Sequence, residues 1–207
     1  ILQLRKIQER QYVHGSDGDV DVFGWAEDGG QTCVQGIFVR GGRILGQRAY
    51  YNKNGLELDA GAYMEAFLSQ YYFASVQRDI PKSILATALP ADSSILHAAV
   101  SEKAGRKVTL SVDVRGQRSR WLALATENAQ VNLASFLANK AHVQTRFQDL
   151  QDALQMEAMP ERLECFDISH TSGEATVASC VVFDPSGPLK TDYRRFNIEG
   201  ITGGDDY

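Results

Sequence analysis

Between Asp19 and Asn52 three β-like stretches follow one another, and the chain then changes to an alternation of helix and strand. No other feature limits the possible folds so strongly. Val20, Val22 and Phe23 open the first strand, and Glu27-Asp28-Gly29-Gly30 turns it. Thr32–Arg40 is rich in β-formers, Gly41-Gly42 turns again, and Ile44–Tyr51 completes a meander. Asp59 is then placed to cap a helix in which Met64, Phe67, Leu68, Tyr71 and Tyr72 share one face. Ser83–Ala88 reads as a short buried strand after Pro81. Asp92 or Ser93 caps a second helix carrying Ile95, Leu96, Ala99 and Val100, and Gly105 stands where a helix C-terminus takes glycine. Val108, Leu110, Val112 and Val114 line one face of a strand over Lys107–Val114. A long helical stretch follows from about Ser119 to about Met156, with Trp121, Leu122, Ala125 and Ala129 on a stripe.

Short hairpins followed by crossover helices build a mixed sheet with helices on its faces. This order is that of an RNase H-like α/β fold. Pro160 then opens a second unit, with strands expected over Arg162–Ile168, Thr176–Phe183 and Leu189–Ile198, the first strands of another such sheet. Ile1–His14 reads as a helix, with Leu2, Leu4, Ile7 and Tyr12 among charges. The expected divisions are 1–17, 18–158 and 159–207.

The two meanders resemble each other. TCVQGIFVRGGRILGQRAYYN (Thr32–Asn52) aligns with TVASCVVFDPSGPLKTDYRRFN (Thr176–Asn197), Thr32 with Thr176 and Val39 with Phe183 at an offset of 144. The same offset carried back to Asp167 falls on Phe23, so a duplicated fold would have an apolar residue in its first copy where the second has a carboxylate.

Composition narrows the class. Hydrophobic residues make up 43% of the 207, enough for real cores. No apolar run reaches the roughly 18 residues of a membrane helix, and ILQLRKIQER is too charged for a signal peptide. The start at Ile1, without Met, reads as an internal segment of a longer protein. Cys33, Cys165 and Cys180 form no CxxC pair, which fits small buried side chains in a reducing cytoplasm better than a disulfide framework. A net charge of −5 argues against gripping nucleic acid by charge alone, but not against a metal nuclease, whose site needs carboxylates.

Asp167 is the residue with most chemical content. It sits in an apolar strand, Cys165-Phe166-Asp167-Ile168, where a carboxylate is costly unless paired or bound to a cation. Two readings fit. It holds Mg²⁺ or Mn²⁺, which take hard oxygen ligands on rigid elements, or it caps a turn or pairs with Arg162 or Arg194. Asp205 and Asp206 follow Gly203-Gly204; they suit a helix N-terminus or a reach toward the same metal. Lys190, Arg194 and Arg195 are candidate phosphate contacts, and Arg115, Arg118 and Arg120 form a second basic cluster; either set also fits a solvated face.

ECFDISHTSGEATVASCVVFD, followed by GPLKTDYRRFNIEGITGGDDY, closely resembles the opening of the nuclease domain of the UvrC family, a component of the bacterial excinuclease that also contains UvrA and UvrB. DVDVFGWAEDGG, FVRGGRILGQRAYY, SEKAGRK and ATENA extend the resemblance upstream, and QLRKIQERQYV is similar to the end of the helical motif that binds UvrB. The resemblance implies an RNase H-like endonuclease that cuts damaged DNA 5′ to a lesion with Mg²⁺ or Mn²⁺. Asp167 matches the family's first catalytic and metal-binding Asp, and Asp206 a further acid important for function. The family's later Asp and His fall beyond Tyr207, so the segment is expected to hold a degenerate RNase H-like domain and an incomplete active one. A rival reading makes residues from Asp19 to about Lys140 a binding module for DNA or a partner protein. The open meander of 159–207 also makes self-association an expectation.

Overall fold

The computed structural model describes residues 18–74, 79–171 and 175–198. The expected N-terminal helix, Ser172-Gly173 and Asp205-Asp206 lie outside these residues. The chain divides into two compact units between Ser135 and Phe136.

In the first unit, β1 (Val20–Asp28), β2 (Gln31–Arg40) and β3 (Arg43–Lys53) form the antiparallel meander. Both hairpins turn on two glycines of positive φ, Gly29 and Gly30 at 55° and 73°, Gly41 and Gly42 at 55° and 74°. Such paired left-handed residues match the twist of the strands, and glycine adopts them without strain. α1 (Ala60–Phe73) is capped by the Asp59 carboxylate, which accepts from the Ala62 N–H at 2.9 Å. β4 (Ser83–Ala86) pairs parallel to β1, and β5 (Thr109–Ser111) parallel to β4. The sheet order is therefore β3-β2-β1-β4-β5. α2 (Ser94–Ala104) ends on Gly105 in the left-handed conformation. Its first turn is capped by Asp92, which accepts from the Ser94 N–H at 3.0 Å, while Ser93 makes no capping bond.

Two apolar layers cover this sheet. Phe23, Val34, Ile84 and Ala86 pack with Tyr63, Met64, Leu68 and Tyr72 of α1 and Leu96 and Val100 of α2. Val20, Val22, Ile37, Val39 and Leu85 pack with Trp121 and Ala125 of α3 (Gln117–Ala153) on the other face. α3 is one unbroken helix of 37 residues. Two expectations fail locally. Ile95 points outward at 82% exposure, because Leu96 and Val100 take the buried stripe of α2. The strand expected over Lys107–Val114 pairs only through Thr109–Ser111, where β4 offers partners.

The second unit holds β6 (Leu163–Thr171), β7 (Ala175–Asp184), β8 (Gly187–Pro188) and β9 (Arg194–Ile198). β7 is central, antiparallel to β6, β8 and β9. The strand expected over Leu189–Ile198 is interrupted by a 3-10 turn at Lys190–Asp192. Arg162 holds that turn to the start of β6 by ion pairs to Asp192 at 2.6 Å and Glu164 at 2.7 Å. Among the described residues no helix is long and apolar enough to cross a membrane.

Candidate functional site

In a strand, successive side chains alternate between faces, and residues opposite each other across a ladder share one. Asp167 of β6 lies opposite Ser179 of β7, and Ser179 lies opposite Arg195 of β9. These three form one row across the second sheet. Phe166, Cys180 and Arg194 form the next row, on the other face. Adjacent in sequence, Arg194 and Arg195 therefore face opposite ways.

Asp167 is exposed, as are its neighbours Phe166 (56%) and Ile168 (55%), so the carboxylate is not buried as the apolar sequence around it suggested. The Ser179 hydroxyl donates to the Asp167 carbonyl at 3.4 Å, a long contact that ties the two strands. The alternative pairings fail. Arg162 is held by Glu164 and Asp192, and the Arg194 guanidinium donates to the carbonyls of Thr191 (2.8 Å) and Tyr193 (2.9 Å). Arg162 holds the Asp192 carboxyl below its ordinary range. Arg195 is exposed on the Asp167 face, and Lys190 is exposed on the 3-10 turn. Asp206 lies outside the described residues. Asp167 is the one carboxylate of its row, and among the described residues no group of three acidic, histidine or cysteine side chains converges on a cation position. A hard oxygen donor on an open strand fits one ligand of Mg²⁺ or Mn²⁺. Cys165, expected to be buried, is exposed on this sheet, whereas Cys33 and Cys180 are buried.

The register corrects the correspondence between the meanders. With Thr32 matched to Thr176, Ser179 corresponds to Gln35, and Gln35 pairs with Gly24 and with Ala49. The counterpart of Asp167 is thus Gly24 rather than Phe23. The physical reason is loop length: Asp28↔Gln31 closes a two-residue turn, whereas Thr171↔Ala175 closes three. One residue of slip moves a position to the opposite face. Gly24 lies under α3, so close that an added Cβ would overlap the backbone of Ala125 and Thr126. Gln35 accepts from the Asn132 side chain of the same helix at 2.9 Å. Helix backbone closes the row that is open in the second unit.

The first unit does bury one carboxylate. Asp21 is 1% exposed; it takes the Arg40 guanidinium at 2.7 Å and the Tyr72 hydroxyl at 2.8 Å. Burial pushes the Asp21 carboxyl above its ordinary value, and the bonds from Arg40 and Tyr72 offset this only in part. Burial and the neighbouring carboxylate push the Tyr72 hydroxyl well up, so it stays a donor. Strand periodicity alone could not reveal this network, because Arg40 and Tyr72 are 19 and 51 residues away.

Comparison with known proteins agrees with these two units. The family model for the UvrC ribonuclease H-like domain matches residues 19–136, and that for the UvrC RNase H endonuclease domain matches 151–207. The UvrABC system protein C of Chromohalobacter salexigens is 53% identical over 208 residues, covering 100% of this chain and 34% of that protein. Its namesakes from Pseudomonas fluorescens and Pseudomonas paraeruginosa are 50% and 49% identical over 204 residues, each covering 99% of this chain and 34% of the relative. The chain thus spans about a third of the length of these relatives. It belongs to the UvrC family, matching the family's ribonuclease H-like domain and its RNase H endonuclease domain.

Proposed function

We propose that this chain is part of the nuclease of bacterial nucleotide excision repair, which cuts damaged DNA 5′ to the lesion. The observation that carries the reading is Asp167: a carboxylate on an open, hydrogen-bonded strand, in the segment matched by the endonuclease domain. In this reading Asp167 is a ligand of Mg²⁺ or Mn²⁺, and the metal would polarise the scissile phosphate and lower the pKa of a bound water. Asp206 supplies a second acid. Arg195, on the Asp167 face, is the better placed of the two adjacent arginines for the phosphates beside the cut, since the Arg194 guanidinium is spent on local carbonyls. Lys190 extends that basic edge. Two acids fall short of the several carboxylates that an RNase H-like site brings to its metal, so these 207 residues alone are proposed to be inactive.

The partners in this reading are damaged DNA and UvrB, met in the cytoplasm. The first unit serves as a binding module, because helix backbone covers the row where a carboxylate would be needed. The test is Asp167→Ala in the full-length protein with UvrA, UvrB and a lesion-bearing duplex. Loss of the 5′ cut with the 3′ cut retained is expected; an intact 5′ cut removes Asp167 from the mechanism. Self-association of the open meander is checked by sedimentation of the chain across a concentration series, where a single monomeric species would exclude it.

A further inference from the structure

A cleft lies between β3 and α1 in the first unit. It encloses about 270 Å³ and is walled by Tyr50, Asn52, Tyr63, Phe67, Gln70 and Tyr71. A smaller pocket of about 130 Å³ shares Asn52, Tyr63, Phe67 and Gln70 with it. The rings are mutually braced. Phe67 and Tyr71 stack at 5.8 Å with 21° between planes, and Tyr50 meets them edge-on at 5.3 and 5.7 Å. Phe23 supports Phe67 and Tyr71 from the core at 5.7 and 5.1 Å. A planar ligand therefore meets aromatic surface already ordered, with little rotamer entropy left to lose.

Polar groups at the rim narrow the ligand class. The Gln70 side chain has no hydrogen-bond partner among the described residues, and neither has the Asn52 Nδ2; the Asn52 Oδ1 accepts from the Lys53 N–H. An amide offers a donor and an acceptor side by side, the complement of a nucleobase edge. β3 carries Arg43, Arg48 and Lys53 and no acid, although the chain as a whole is at −5. The Arg48 guanidinium sits 5.1 Å from the centroid of the Tyr50 ring, which forms one wall of the cleft. Ring walls, amide rim and cationic edge together are what binds single-stranded nucleic acid: stacking for the base, charge for the backbone. At 270 Å³ the cleft is below the ~300–1,000 Å³ of pockets that take drug-sized ligands.

We propose that this cleft takes one unpaired base of single-stranded DNA, stacked against the Tyr50–Phe67–Tyr71 rings. The Asn52 and Gln70 amides meet its edge, and Arg48 meets its phosphate. The inference rests on DNA being the partner, as proposed above. It gives the first unit a role of its own, which is to hold a displaced strand while the second unit cuts.

The experiment uses the 207-residue chain and a fluorescein-labelled ten-nucleotide oligothymidine, with the matching duplex as control. Anisotropy titration is expected to show tighter binding of the single strand. Arg48→Glu, and separately the pair Asn52→Asp with Gln70→Glu, are each expected to weaken it about tenfold or more. All three positions are exposed, so thermal melts of the variants should match the wild type. In parallel, a 5-iododeoxyuridine oligonucleotide is photo-crosslinked and the adduct mapped by peptide mass spectrometry, with the adduct expected in 48–53 or 63–71. Crosslinks elsewhere, variants that bind like the wild type, or a preference for duplex would each overturn the proposal. Its failure is separable from that of the nuclease reading: Asp167→Ala is expected to leave oligothymidine binding unchanged, and incision by that variant does not report on the cleft.

Discussion

Two rows of three residues occupy the same place in the two meanders. In the second unit the row is Asp167, Ser179 and Arg195, with Asp167 and Arg195 exposed and Ser179 half-buried between them. In the first it is Gly24, Gln35 and Ala49, covered by α3. The carboxylate is missing where the helix sits, and glycine is there because nothing larger fits. The difference shows how one strand arrangement leaves either an exposed carboxylate edge or a packed core. What decides is whether a helix lands on the row.

The largest expected effect comes from forcing the first row to resemble the second. Gly24→Asp should cost about 3 kcal/mol or more in urea unfolding, since the side chain must displace α3 and bury a charge. Gly24→Ala should cost less, about 1–3 kcal/mol, from overlap alone. A wild-type midpoint for both would mean that α3 does not close the row. The reverse change, Asp167→Ala, should leave stability within about 0.5 kcal/mol because the site is exposed. If Asp167 is the metal ligand proposed above, it should still slow the 5′ cut in the full-length protein by about 100-fold or more.

The buried carboxylate of the first unit gives a smaller contrast. Tyr72→Phe removes a donor from Asp21 and should cost about 1–3 kcal/mol by thermal melting. The pH dependence has a definite sign. The Asp21 carboxyl titrates higher in the folded chain than its ordinary 3.8, so between these values the folded state holds more proton than the unfolded state. Its contribution to stability is therefore present below 3.8 and is lost as pH rises through the raised folded value. Asp21→Asn should gain on the wild type as pH rises across that window, measured as the difference in urea midpoints; a gain on acidification would reverse the assignment. The smallest test is chemical. Cys165 should react with a maleimide before Cys180 and Cys33, and Cys33, whose thiol burial pushes up to about 11, should react only on unfolding.

Much of the first unit was legible in the sequence. Gly29-Gly30 and Gly41-Gly42 announce two-residue hairpins because only glycine takes two successive left-handed conformations cheaply. Asp59 caps α1 as its place before an apolar stripe suggests. The alternation of elements was enough for the RNase H-like order. Less of the candidate site was legible. Asp167 stood out as a carboxylate among apolar neighbours, but its exposure, its row with Ser179 and Arg195, and the separation of Arg194 from Arg195 depend on strand partners. The strand expected over Leu189–Ile198 is broken because Arg162 reaches across from the start of β6 to hold Asp192 in a 3-10 turn.

By itself, then, the sequence determined what is encoded within a few residues: the paired-glycine turns, the cap on α1, the alternation of each strand and the family motif around Asp167. Only the tertiary structure decided which row lies under a helix, that Gly24 rather than Phe23 answers to Asp167, and that Asp21 is buried with Arg40 and Tyr72. Local propensities act through neighbouring backbone groups. Register and burial are set by loop lengths and by groups that arrive from 19 to more than 100 residues away, as Arg40 of β2 does at Asp21 and α3 at Gly24.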